Sequence, residues 1–335
     1  MAKPHIVIIS PYLANANNGN WQTAWRWSRF LSQSYKVTLA VHWDGTACDA
    51  MIALHARRSA TSIAAFSAAF PARPLIVVLT GTDLYKDIAN DEDAQRSLQF
   101  ANQLLILQPA GLQALNKNLH HKTKVIYQSA PSLKPFKQNH EIQPRYFDVT
   151  MIGHLRDEKD PGTFMRAAKS LESARVRLIH IGGALDPVLA EEAKKTQQLY
   201  PRYHWLGNVA HAATRQRLKR SQLMVITSKM EGGANVIIEA VTSGVPVLAS
   251  DISGNRGMLG DNYAGYFPLG DSIKLAHLID RAVSDTKFYS HLKAQCAARA
   301  SLFAPERERA VLIKVVDSCI TKNRGTHEYA ARQQD

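Results

Sequence analysis

The chain has 335 residues, 45% of them hydrophobic and 21% charged, with a formal net charge of +13. This composition excludes a disordered or fibrous chain and is long enough for two domains with separate cores. The basic surplus points to nucleic acid, an anionic membrane or small polyanionic substrates. Three cysteines, Cys48, Cys296 and Cys319, stand far apart with no CxxC or Cys/His cluster, and read as buried or inert thiols.

The opening MAKPHIVIISPYL holds an apolar run over 6–9, too short for the core of a signal peptide or for a membrane span of about 20 apolar residues. The chain therefore reads as cytoplasmic. The run predicts a buried strand, followed by the polar loop 14–20 and a helix over 21–32. Asn18, Gly19 and Asn20 then stand at the carboxyl end of a parallel strand, where open α/β sheets bind ligands. Trp21 and Trp25 share a helical face at i and i+4 and are expected to pack in the core, with Trp21 the one able to reach a ligand.

Further strands are predicted over 36–41, 75–79, 103–107 and 124–127, with helical patterns between them. That alternation argues for a doubly wound parallel sheet. The strand 75–79 runs into Thr80, Gly81, Thr82 and Asp83, where Gly81 leaves room for a ligand and Asp83 brings a charge. Asp91, Glu92 and Asp93 spell a DxD, but after Asn90 they open a helix, where acids complement the dipole, so no metal is expected. Residues 129–145 carry Pro131, Pro135 and Pro144 among polar residues and read as an interdomain linker.

In the second half a strand over 147–152 is followed by the loop GHLRDEKDP at 153–161. Lys159 lies at a helix start, where the dipole disfavours a cation, and so reads as a ligand residue; His154 fits ligand contact and packing equally. Strands over 176–181 and 204–206 follow, the latter ending at Gly207 and Asn208, and the basic group 215–220 reads as a solvated helix face.

The stretch 228–260 organises the rest. A strand over 223–226 enters a turn with Gly232, Gly233 and Ala234, and Asn235 is a good N-cap for the helix beyond. Glycines before uncommitted helix amides let an anion approach the backbone closely, so the loop is a phosphate cradle. Glu231 and Glu239 frame it, and carboxylates accept hydrogen bonds from sugar hydroxyls.

Glu231 and Glu239, with seven residues between them, the glycines and the GVPVLAS strand resemble the EX7E signature of the retaining glycosyltransferases of family 4. The resemblance implies an α/β chain of the GT-B fold, two Rossmann-like doubly wound domains facing a cleft. It places an acceptor-side domain at 1–130, a linker at 131–146, a nucleotide-sugar donor domain at 147–303, and at 304–335 a helix packing back on the first domain, and a tail. The implied catalytic residues are Glu231, Arg156 and Lys159; Gly232, Gly233, Ala234, Asn235, Glu239, His154, Gly207 and Asn208 would bind the donor. Lys159 matches the family's lysine, His154 takes the place of its arginine, and Arg156 is the natural substitute. The acceptor side would be Asn18, Gly19, Asn20, Trp21, Thr23, Thr80, Gly81 and Asp83. Thr80 stands where the family has a histidine, and a loop with Gly254 and Asn255 would present backbone N–H groups.

Four segments, 17–27, 80–85, 153–161 and 230–260, are further similar to the selenosugar synthases of bacterial selenoneine biosynthesis. That likeness implies transfer of N-acetylglucosamine from UDP to the selenium of selenophosphate, itself supplied by a selenophosphate synthetase, without cofactor or metal. The partners are then small molecules, not nucleic acid, with weak membrane attraction left to the basic surface. A glycosyltransferase with a hydroxyl acceptor, a sugar-nucleotide epimerase and a nucleic-acid-binding protein are the rival readings.

Overall fold

The computed structural model describes residues 3–12, 19–133 and 145–331, with side chains to 321. Asn18 and most of the linker segment lie outside the described residues. The chain divides into two compact units, residues 1–128 with 305–335, and residues 129–304.

The first unit holds a six-stranded sheet of β1 (His5–Ile9), β2 (Lys36–Ala40), β3 (Ala50–Leu54), β4 (Leu75–Leu79), β5 (Gln103–Ile106) and β6 (Thr123–Val125) in the order β2-β1-β3-β4-β5-β6. All neighbours run parallel. Helices α1 (Gly19–Leu31), α2 (Ala60–Ala69), α3 (Ile88–Asn90) and α4 (Glu92–Phe100) connect them. A sheet covered on both faces needs strands apolar on both sides, which explains continuous runs such as HIVII and LIVVL. Along β1 the alternation still sorts the contacts: Ile6 and Ile8 join Trp27 and Leu31 of α1, while Val7 and Ile9 join Ile63 and Phe66 of α2.

The second unit repeats the plan with β7 (Phe147–Ile152), β8 (Val176–Ile181), β9 (Tyr203–Trp205), β10 (Leu223–Ile226), β11 (Val247–Ser250) and β12 (Tyr266–Phe267). Their order is β12-β11-β10-β7-β8-β9. The helices are α5 (Pro161–Ser170), α6 (Pro187–Leu199), α7 (His211–Arg220), α8 (Asn235–Thr242), α9 (Ser253–Leu259), α10 (Ser272–Ser284) and α11 (Thr286–Arg299). The last helix, α12 (Pro305–Ala331), returns to the first unit, where buried Glu308 accepts hydrogen bonds from Arg26 at 2.7 Å and from Trp27 Nε1 at 2.6 Å. Among the described residues no helix is long and apolar enough to cross a membrane.

Each sheet reverses its strand order once, the first between β1 and β3 and the second between β7 and β10. Ligands bind beside such switch points because the loops leaving the two strands diverge to opposite faces and open a crevice.

Several expectations need correction. β3 stands where no strand is expected: its AMIAL is a short apolar run without alternation, which periodicity cannot tell from buried helix. Trp25 is 46% exposed and stacks on Trp21 with ring centroids 5.7 Å apart, whereas Trp27 is the tryptophan in the core. Trp27, two positions after Trp25, lies on the opposite side of α1, where it joins Ile6 and Ile8 of β1.

Candidate functional site

The second switch point joins the loops after β7 and β10. Thr227 Oγ1 donates to the Lys159 carbonyl at 2.8 Å, and the Lys229 N–H to the Glu158 carbonyl at 2.9 Å. These bonds tie two loops about 70 residues apart in sequence into one surface. On it Lys159 Nζ lies 2.5 Å from Glu231 Oε1, a charge-assisted bond with little exposure on either side. Asp160, with φ of 42°, caps α5 by accepting from the Thr163 N–H, so the chain turns sharply just after the lysine.

The glycine loop is held close to its neighbour by a missing side chain. A Cβ on Gly254 would sit 2.1 Å from the Glu231 carbonyl oxygen, so α9 can pack against the loop only without one. Ala234, not Asn235, precedes the first helical residue of α8, and no side chain caps the helix. Asn235 is therefore already helical; the Ile237 and Ile238 N–H groups return to the Ala234 carbonyl, which leaves the Asn235 and Val236 amides as the donors for an anion. Glu239 follows one turn on; His211 Nε2, at the start of α7, lies 2.6 Å from its Oε1.

Arg215, one turn after His211, is only 8% exposed. It donates through Nη2 to the Pro131 carbonyl at 2.8 Å; burial pulls the guanidinium down, and the Glu239 carboxylate opposes that shift. The basic group 215–220 is thus not a uniformly solvated face. Neither His211 nor Arg215 carries a sequence signal linking it to Glu239, since the pairing comes only from α7 lying beside α8.

The wall beyond β8 and β9 gathers four more candidates. Gly182 donates to the Gly207 carbonyl at 2.9 Å, and Gly183 donates to His154 Nδ1 at 2.9 Å. His154 Nδ1 is thus an acceptor, leaving Nε2 to carry the proton of the neutral ring. Burial first, then Arg156 and Lys159, holds the imidazole below its ordinary pKa. Asn208 flanks Gly183, where an added Cβ would stand 3.5 Å from that of Asn208. Arg156 is partly exposed, 4.0 Å from Glu158. A cluster of Lys159, Arg156 and uncapped amides can oppose the charge of a diphosphate, with Glu231 and Glu239 as hydroxyl acceptors beside it.

Other candidates turn out to be structural. Asp83 is fully buried, its Oδ1 accepting from the Thr80 and Gly81 N–H groups at 2.9 and 2.8 Å and its Oδ2 from the Ala56 N–H at 3.0 Å. Its charge is committed to backbone donors and is not offered to a ligand. Thr23 is buried, bonded to the Gly19 carbonyl at 2.7 Å and to Gln128. Gly19 and Asn20 form the first turn of α1. Gly254 and Asn255 lie in α9, not in a loop, and Asn255 Nδ2 turns inward to the Ser250 carbonyl at 2.9 Å. Asp91 caps α4 through the Ala94 N–H at 2.8 Å. Among the described residues no group of three or more His, Cys, Asp or Glu side chains is placed to hold a metal ion.

Residues 134–299 match the family model for glycosyl transferases group 1. A Xenopus tropicalis protein named glycosyltransferase 1 domain-containing protein 1 is 28% identical over 210 residues, covering 56% of this chain and 59% of its own length. The chain thus spans somewhat over half of the curated relative that it matches. Among solved structures, Anabaena HepE in complex with UDP and glucose superposes with a TM-score of 0.73 at 18% identity, covering 94% of this chain and 100% of that one. Sucrose-phosphate synthase from Thermosynechococcus elongatus gives 0.77 at 16% identity, covering 96% and 100%. The architecture is that of these GT-B proteins, two Rossmann-like parallel-sheet units, and the likeness to glycosyl transferases group 1 is carried by residues 134–299.

Proposed function

We propose that the protein is a glycosyltransferase that moves a sugar, N-acetylglucosamine, from a UDP donor to the selenium of selenophosphate. The observation that carries the donor half is the joining of Lys159 and Glu231 beside the uncapped start of α8, with Glu239 one turn further on. In this reading the diphosphate lies on the α8 amides between Lys159 and Arg156, Glu239 takes the ribose hydroxyls and Glu231 a hydroxyl of the sugar. The HepE structures hold UDP and glucose, which supports a UDP-sugar here.

The acceptor half rests on the likeness of the four segments to selenosugar synthases. The selenium of selenophosphate is anionic and soft, so it attacks C1 without a strong general base. The C1–Se bond forms as the C1–O bond to the diphosphate breaks, its electron pair leaving with UDP. One water across the Se–P bond then releases phosphate and the 1-selenosugar. Lys159, Arg156 and the amides stabilise the charge that grows on the leaving phosphate. Withdrawal of the Asp83 carboxylate into the backbone removes a repulsive charge from the acceptor side.

The test is UDP release from UDP-N-acetylglucosamine with and without selenophosphate, with the product's mass recorded. Selenophosphate-dependent release with a selenium-containing sugar is the expected result. Donor binding without such release would move the acceptor to a hydroxyl compound.

A further inference from the structure

Helix α7 turns one stripe of side chains inward. His211, Arg215 and Leu218 stand at i, i+4 and i+7 and so share a face, and Arg215 and Leu218 are buried on it. A stripe of that spacing ordinarily carries apolar side chains toward the core. Here its middle position is an arginine only 8% exposed.

The contacts of that guanidinium use little of its capacity. Nη2 donates to the Pro131 carbonyl at 2.8 Å, while Nε is buried without a hydrogen-bond partner among the described residues. One bond to a carbonyl needs a donor and not a charge, and burying a charge costs far more than burying a neutral donor. A carboxylate close by accounts for the charge. α7 packs beside α8, His211 at its start touches Glu239, and one helical turn of about 5.4 Å separates Arg215 from His211 on the same face. The Glu239 carboxylate acts on the guanidinium across that distance, opposing the downward pull of burial.

Glu239 is itself only 8% exposed, with its Oε1 2.6 Å from His211 Nε2. A ring N–H gives the carboxylate a direction, but a histidine's charge comes and goes near neutral pH, whereas a guanidinium keeps its charge. Arg215 is thus the permanent counter-charge of a buried acid that stands one turn from the amides of the cradle. Without it the carboxylate would face a bound diphosphate uncompensated.

We propose that Arg215 is a positioning residue of the donor site, the buried cation behind Glu239 that holds this carboxylate in place as the acceptor of the ribose hydroxyls. The inference rests on the reading of the preceding subsection, in which Glu239 takes those hydroxyls.

The experiment titrates UDP and 2′-deoxy-UDP by calorimetry into the full chain, Arg215→Met and Arg215→Lys. The native protein should prefer UDP by about tenfold or more, the scale of a charge-assisted hydrogen bond that the deoxyribose cannot make. Arg215→Met keeps the bulk but not the charge, and its preference should fall to about twofold or less, while Arg215→Lys, still charged, should keep about fivefold or more. The ratio separates positioning from packing, because a change that merely loosens the fold weakens both nucleotides alike. A native ratio in Arg215→Met, or a ratio lost equally in Arg215→Lys, overturns the role of the buried charge and leaves Glu239 as the ribose acid. Equal binding of the two nucleotides by the native protein overturns the ribose assignment itself, and the role of Arg215 with it. Should Arg215→Met fail to fold, Arg215→Gln, also uncharged, is measured with the same expectation.

Discussion

His211 Nε2 lies 2.6 Å from Glu239 Oε1, so the second acid of the EX7E pair is oriented by the first residue of the preceding helix. A ring N–H on one carboxylate oxygen leaves the other free to accept hydroxyls in a fixed direction. Replacing His211 by Ala should weaken UDP binding by about threefold to tenfold, and Glu239→Ala by more, since the latter removes the acceptor itself. UDP titration of both variants checks the order; equal affinity of His211→Ala and the native protein would make the histidine a bystander.

Lys159 Nζ is paired with Glu231 Oε1. Lys159→Ala should cost donor affinity about tenfold to a hundredfold, because it removes a phosphate cation and leaves the Glu231 carboxylate facing the diphosphate. Lys159→Ala, Glu231→Gln should recover part of that loss. A double variant no better than the single one would mean that repulsion by Glu231 plays no part.

Gly254→Ala should disturb the site without touching a ligand. The added methyl meets the Glu231 carbonyl, so the glycine loop or α9 must shift, at about 1–3 kcal/mol for overpacking. Reduced thermal stability together with weakened UDP binding is expected, and the two can be read from one melting series with and without UDP. Native-like UDP stabilisation would show that the loop tolerates the shift.

Asp83→Asn should act on stability and not on donor affinity. Its carboxylate serves N–H groups on both β3 and β4 loops, and an amide can accept on only one side, leaving a buried donor unmet at about 1–3 kcal/mol. Denaturant unfolding measures this directly; unchanged stability would return Asp83 to the ligand contacts.

His180 predicts a pH dependence. The ring is fully buried in β8, with Nε2 3.1 Å from the Gly153 carbonyl and Nδ1 2.9 Å from the Tyr203 hydroxyl; burial lowers its pKa from 6.5 to about 4. As pH falls below about 6.5 the unfolded chain takes up a proton that the folded chain refuses until about 4. Stability therefore drops across that window, by about 3 kcal/mol at its acid end. Urea midpoints at about pH 7 and about pH 4.5 should diverge less in His180→Gln than in the native protein, and identical slopes would show that His180 does not titrate there.

The donor loop was legible because its chemistry is local: Glu231, the glycines, α8 and Glu239 fall within one strand-loop-helix unit, and the apolar runs of β7 and β10 predict the strands that carry it. Lys159 was legible through the unfavourable place of a cation near a helix start. Its bond to Glu231 was not, since it depends on β7 and β10 being neighbours.

Sequence alone determined the fold class and the acidic frame of the cradle, because hydrophobic period and glycine placement act over a few residues. Only tertiary structure decided the rest. Strand order brought His211 and Arg215 to Glu239, committed Asp83 to the backbone, and inserted β3 beside β1 so that Arg58 meets Tyr12. Such pairings join residues far apart in the chain, and a side chain's role there is set by which neighbours satisfy it, which no local pattern encodes.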